Sequence, residues 1–207
     1  MTGKAIGGLD AMTIDPDRYE RFPSLIPVKE DVLRALHDAA TNSDSPLRIA
    51  TVGNVDPSGA PQLRSMVVRS FDEAIPQITF FTDARSPKVM GLEQNPRVQI
   101  LMYDPLTHMQ LRTSGVATLH IDDDLTARLW SDLPEYGRGD YLSRQPPGEQ
   151  IAHPDDSWED KTLGGRNFTV VSIKIVSVDW LKLSGQGHRR ALLTWDNGNF
   201  TGRWVTP

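Results

Sequence analysis

The chain has 207 residues, with 22 Lys and Arg against 27 Asp and Glu, for a formal charge of -5. That acidic balance excludes a general nucleic-acid binder, which needs a basic face, and the absence of Cys excludes a disulfide framework and thiolate chemistry. An apolar content of 38% is enough for one core at this length, so one domain is expected, and no apolar run approaches the roughly eighteen residues of a membrane span.

Residues 1–27 carry little periodicity and read as a flexible N-terminal arm. The first ten residues hold no hydrophobic block, so no secretory signal is expected and a cytoplasmic location fits. Residues 28–207 read as the single folded domain. Val32, Leu33, Leu36, Ala39 and Ala40 form a helical stripe over Val28–Ala40. Leu47–Val55 and Gln62–Ser70 read as a hairpin around the turn Asp56–Gly59. Gln77–Thr82 reads as a strand, and the turn Asp83–Arg85 leads to Ser86-Pro87-Lys88. There Ser suits the N-cap, Pro suits the first helical position, and a helix runs to Gln94 before Asn95-Pro96 stops it. The start of such a helix offers free N–H groups and a positive dipole end, with Lys88 adding a charge, so the junction can hold an anion.

Arg97–Tyr103 alternates, with Val98, Ile100 and Met102 on one face, and His108–Leu119 reads as a long strand. Asp122 is the expected cap of a helix reaching Leu133. Tyr136–Gly165, rich in Gly and Pro, reads as a long surface excursion. Asn167–Leu183 is a near-continuous β run. Two short strands, Arg190–Trp195 and Phe200–Val205, flank the turn signal Asp196-Asn197-Gly198. Seven or eight short strands with two or three helices predict a mainly β (α+β) barrel rather than a parallel sheet.

The five His residues lack metal-ligand spacing, so no metal is expected. No Gly-x-Gly-x-x-Gly, P-loop or Gly-x-Ser-x-Gly pattern supports a Rossmann, nucleotide-triphosphatase or hydrolase reading. Arg64 and Arg69 sit in an otherwise apolar strand. Five residues apart on a regular strand they point to opposite faces, so they share a site only where a bulge or strand end turns one of them.

Arg64-Ser65-Met66-Val67-Val68-Arg69, Phe81-Thr82-Asp83-Ala84-Arg85-Ser86-Pro87-Lys88, Asn95-Pro96-Arg97-Val98 and Gln110 together resemble the pyridoxamine 5'-phosphate oxidase family. Gln145, Trp180 and Arg190 fall on further flavin positions, so the resemblance spans roughly Leu47 to Pro207. It implies an FMN-binding split β-barrel, assembled as a homodimer with FMN at the interface and acting on a small-molecule substrate. Arg64 and Lys88 would bind the FMN phosphate, with Ser86 close by. Ser65, Met66, Val67, Val68, Arg69, Phe81 and Thr82 would line the flavin pocket. Gln110, Gln145, Trp180 and Arg190 would complete it, some from the second subunit. Gln186 and His188 fall on substrate-side positions, with Gln186 replacing the family's Arg. The positions that hold the substrate phosphate in the true oxidase read Arg128, Asp132 and Tyr136, and Asp132 would repel a phosphate. The resemblance therefore implies an FMN-dependent oxidoreductase of unassigned substrate more than a vitamin B6 oxidase. The alternative is a non-catalytic flavin- or tetrapyrrole-binding module.

Overall fold

A computed structural model describes residues 24–157, 160–196 and 199–207. Most of the expected arm, and Asn197 and Gly198 of the expected turn, lie outside the described residues. The first helix, α1 (Ile26–Thr41), starts before the expected Val28 because Pro27 fits the first helical turn, where no N–H partner is required. Its buried stripe, Val28, Val32, Ala35, Leu36 and Ala39, joins the main core.

Strands β1 (Ile49–Val55) and β2 (Pro61–Val67) form the expected hairpin. Asp56 organises its turn by accepting from the Ser58 and Ala60 N–H groups at 2.9 and 3.0 Å. The returning strand does not run on to Ser70, as the sequence suggests. The Val68 N–H bonds to the Arg48 carbonyl at 2.8 Å, while the Arg69 N–H bonds to the Thr79 carbonyl at 2.9 Å. The chain thus changes partner, and β3 (Ser70–Asp72) pairs with β4 (Gln77–Asp83) instead. Arg64 and Arg69 therefore belong to different pairings.

Helix α2 (Pro87–Gln94) leads to β5 (Arg97–Asp104) and the long β6 (Met109–Ile121). Burial alternates strictly along β5, so one face meets the core. Gly115 sits at a bulge in β6, and a Cβ there would lie 2.5 Å from Ile173 and 2.8 Å from the Lys174 carbonyl. Helix α3 (Asp124–Asp132) is capped by Asp123, not by the expected Asp122. Asp123 and Thr126 exchange side-chain bonds in a capping box, while Asp122 turns the chain with φ 53°.

Strand β7 (Phe168–Lys182) is the spine of the antiparallel sheet. One edge pairs with β6 along most of its length. The other edge is shared: Phe168–Lys174 pairs with β4, and Ser177–Lys182 pairs with β8 (Arg189–Asp196), which carries β9 (Asn199–Val205). This fork is how the barrel splits. The excursion 136–165 is not wholly on the surface. Tyr141 and Leu142 are buried, and Tyr141 joins Leu133, Phe168 and Val170 in a second core cluster.

Candidate functional site

The residues expected to hold an anion meet at the β4–α2 junction. Ser86 occupies the N-cap of α2, yet its side chain makes no capping bond. Its hydroxyl instead accepts from Lys88 Nζ at 2.7 Å, and Lys88 also donates to Thr82 Oγ1 at 3.0 Å. Arg64 reaches the same place from β2, donating to Asn54 Oδ1 and to the Val52 carbonyl. Gly91 makes this approach possible, since a Cβ there would lie 2.6 Å from the Val55 carbonyl and 2.7 Å from Asn54 Nδ2. Without that closeness α2 could not rest on β1 with Lys88 facing Arg64.

Burial, followed by the Arg64 charge, holds the Lys88 ammonium below its ordinary pKa, against an opposing pull from Asp83. Burial alone lowers Arg64. Asp83, however, is already bound in a bidentate pair by Arg85, at 3.0 and 2.7 Å. Among the described residues, Lys88 and Arg64 hydrogen-bond to neutral oxygens only. Two half-buried cations at a helix start, answered by no dedicated carboxylate, fit a phosphate.

A second group lies beside it. The Arg69 guanidinium stands 5.2 Å over the Phe81 ring, with its charge close to the Tyr141 hydroxyl. Burial raises the Tyr141 pKa, and Arg69 opposes that shift. Arg69 Nε and Gln145 Oε1 are buried without a hydrogen-bond partner, as pocket groups awaiting a polar ligand would be. Tyr141 was not singled out from sequence, because it sits in an irregular stretch with no periodicity. Of the remaining residues expected to line the pocket, Ser65 is exposed, Met66 and Val67 are half-buried, and Val68 is in the core.

Gln110 and Arg190 lie elsewhere. Cross-strand register puts Gln110, Leu181 and Arg190 in one row across β6, β7 and β8, on the outer face of the sheet. Arg64 pairs with the buried Val52 and so belongs to the opposite, core side. Arg190 forks onto Asp179, Nε to Oδ1 at 2.9 Å and Nη2 to Oδ2 at 2.7 Å, and Arg112 bonds to the same Oδ2. Trp180 is placed in the core at 0% exposure, between Leu111 and Ala191, with Trp204 edge-on at 6.3 Å. Its ring therefore faces away from Gln110 and Arg190. Gln186 and His188 are exposed in a tight loop, where His188 Nδ1 accepts from the Ser184 N–H at 3.2 Å. Arg128, Asp132 and Tyr136 are also exposed.

The bond from Arg190, then that from Arg112, holds the Asp179 carboxyl below the usual carboxylate range, against the effect of burial. A carboxyl depressed in the folded state contributes stability that is present above its unfolded pKa, about 3.9, and lost as pH falls through the folded value. Below roughly pH 4 the wild-type melting temperature should therefore fall more steeply than that of Asp179→Asn. Parallel acid limbs in thermal melts would remove Asp179 from that role.

Residues 27–121 match the family model for the FMN-binding domain of pyridoxamine 5'-phosphate oxidase. A pyridoxine/pyridoxamine 5'-phosphate oxidase of Anaeromyxobacter dehalogenans is 32% identical over 111 residues, 54% of this chain and 55% of that protein. One from Acinetobacter baumannii is 28% identical over 116 residues, 56% of this chain and 46% of that protein. The chain thus spans about half the length of the curated relatives it matches. The crystal structure of a pyridoxamine 5'-phosphate oxidase-related, FMN-binding protein from Nostoc punctiforme matches with a TM-score of 0.71 at 28% identity, over 89% of this chain and 100% of that one. PhzG from Burkholderia lata matches with a TM-score of 0.69 over 97% of this chain and 100% of its own, and its 15% identity speaks for the fold alone. The FMN expected from the resemblance is the cofactor of the matched family, and the cation pair at α2 suits its phosphate. Over residues 27–121 this split barrel is similar to the FMN-binding domain of the pyridoxamine 5'-phosphate oxidase family.

Proposed function

We propose that the protein is an FMN-dependent oxidoreductase acting on a small molecule, as a homodimer in the cytoplasm. The observation that carries this reading is the pair Arg64 and Lys88, half-buried at the start of α2 and hydrogen-bonded, among the described residues, to neutral partners. These two would hold the FMN phosphate, with Ser86 and Thr82 orienting the Lys88 ammonium. Arg69, Phe81 and Gln145 would meet the rest of the cofactor. FMN supplies the redox chemistry when bound, and the protein supplies position, charge and exclusion of water.

The dimer is supported by the outer sheet face. Ile49, Leu63, Leu101, Tyr103 and Val116 are large apolar side chains exposed on β1, β2, β5 and β6. Gln110 and Arg190 share that face, away from the phosphate side. A pocket completed across two subunits reconciles the two locations. Of Arg128, Asp132 and Tyr136, at the positions that hold the substrate phosphate in the true oxidase, Asp132 would repel a phosphate, so vitamin B6 phosphate is not proposed as the substrate.

The test is anaerobic titration of the FMN-loaded protein with candidate small-molecule donors, followed by flavin absorbance. Substrate-dependent bleaching is the expected outcome. Stable FMN binding with no bleaching by any donor would favour a flavin carrier instead. Sedimentation should show a dimer that keeps its flavin, and a flavin-bearing monomer would overturn the shared pocket.

A further inference from the structure

Arg85 is bound more fully than an ordinary turn residue needs to be. Its own N–H donates to Asp83 Oδ1 at 2.8 Å, and its guanidinium forks onto both oxygens of that carboxylate. The Asp83 side chain is only 4% exposed. The same guanidinium reaches across to the excursion after α3. Nη2 donates to the Ser143 carbonyl and Nη1 to the Arg144 carbonyl, each at 2.8 Å. Asp83 thus fixes the fork, and the fork grips two consecutive peptide groups about sixty residues further along the chain.

The gripped segment lies over the candidate cofactor site. Gln145, whose Oε1 is buried and unpartnered, follows Arg144 directly. Further on, a Cβ on Gly148 would come within 3.9 Å of the Pro87 ring, at the first position of α2. The far side of the segment is tied by the Asp160 N–H to the Leu142 carbonyl at 2.7 Å. We infer that Arg85 is a positioning residue: with Asp83 it straps the segment Leu142–Gly148 across the start of α2, so that Gln145 closes the FMN pocket and the strap governs how slowly the flavin leaves. The inference rests on the flavin reading, and its own content is the role of Arg85.

Arg85→Met keeps the length and removes every side-chain donor, whereas Arg85→Lys keeps the charge beside Asp83 but not the fork. Loss of two charge-assisted bonds should raise the FMN dissociation rate roughly tenfold or more in Arg85→Met, followed by recovery of flavin fluorescence after dilution. Arg85→Lys should rise less. A second readout needs no flavin. The Arg144 carbonyl held by Arg85 belongs to the Arg144–Gln145 bond, which trypsin cleaves once the segment opens. The apo Arg85→Met protein should be cut there faster than wild type.

Faster release together with faster cutting supports the strap. Faster cutting with an unchanged flavin release rate overturns it, because Arg85 would then order the segment without serving the cofactor. Wild-type behaviour in both assays also overturns it. If Arg85→Met does not fold, Arg85→Lys decides: a raised release rate at an unchanged melting temperature supports the inference, and an unchanged rate overturns it. A wild-type protein that takes up no FMN would remove the flavin reading and the strap's role together, whereas a failure confined to the variants leaves that reading intact.

Discussion

Lys88→Ala and Arg64→Ala are each expected to weaken FMN binding by about 1.5–3 kcal/mol, or roughly tenfold to a hundredfold. Each substitution removes a cation that in the free protein already bears the cost of partial burial and mutual repulsion. A phosphate dianion would relieve both, so the pair suits such a ligand. The double variant should lose less than the sum of the single losses, since both groups address one phosphate. The melting temperature of the apo protein should change little in either variant, because relief of repulsion offsets the bonds lost by the buried Asn54 or Ser86.

The depressed Lys88 pKa adds a second signature. Phosphate restores the charged form, so FMN binding at alkaline pH should take up a proton, and affinity should fall as pH rises through the Lys88 pKa of the free protein. Calorimetry in buffers of different ionisation enthalpy reads that proton directly, and it should vanish in Lys88→Ala. Wild-type affinity in both single variants would end the phosphate assignment.

Trp180→Ala should be the most destabilising single change, costing about 3–5 kcal/mol. The indole is fully buried on the core side of β7, against Leu111, Ala191 and Trp204, so its loss leaves a large void in the core. For a chain of this size the melting temperature should drop by roughly 6–20 °C. Trp180→Phe, which leaves a smaller cavity, should recover much of that loss and bind FMN as wild type does. Thermal melts and flavin titrations on the two variants separate packing from ligand contact. An alanine variant that melts normally but binds FMN poorly would move Trp180 out of the core and onto the cofactor.

The junction Ser86-Pro87-Lys88 was legible because its signals are local: an extended N-cap, a ring that suits the first turn, and a charge beside it. The alternation of β5 was legible for the same reason, since a half-buried strand writes its period into eight residues. What escaped depends on distant partners. No local pattern says that the chain leaves β1 at Val67 and joins β4 at Ser70, because Arg48 and Thr79 supply the receiving carbonyls. Asp122 and Asp123 are equivalent as caps until Thr126 reciprocates with one of them. The residue pattern put Trp180 in an apolar strand but could not say which face it takes. That is fixed by its register with Leu111 and Ala191. Tyr141 and the grip of Arg85 on Ser143 and Arg144 were invisible because tertiary contact, not periodicity, orders that stretch.

The fork in β7 has a consequence for the order in which the protein comes apart. Along Phe168–Lys174 the strand is flanked by β4 and β6, and along Ser177–Lys182 by β6 and β8. Its amides have no free edge from which to fray, so deuterium enters only when the whole barrel opens. Val170 to Ile173 and Val178 to Leu181 are thus the last hydrogens to exchange. The strand that carries the outer row and pairs with β4 is also the last to melt, so the row of Gln110 and Arg190 and the junction that begins α2 should be lost in one step.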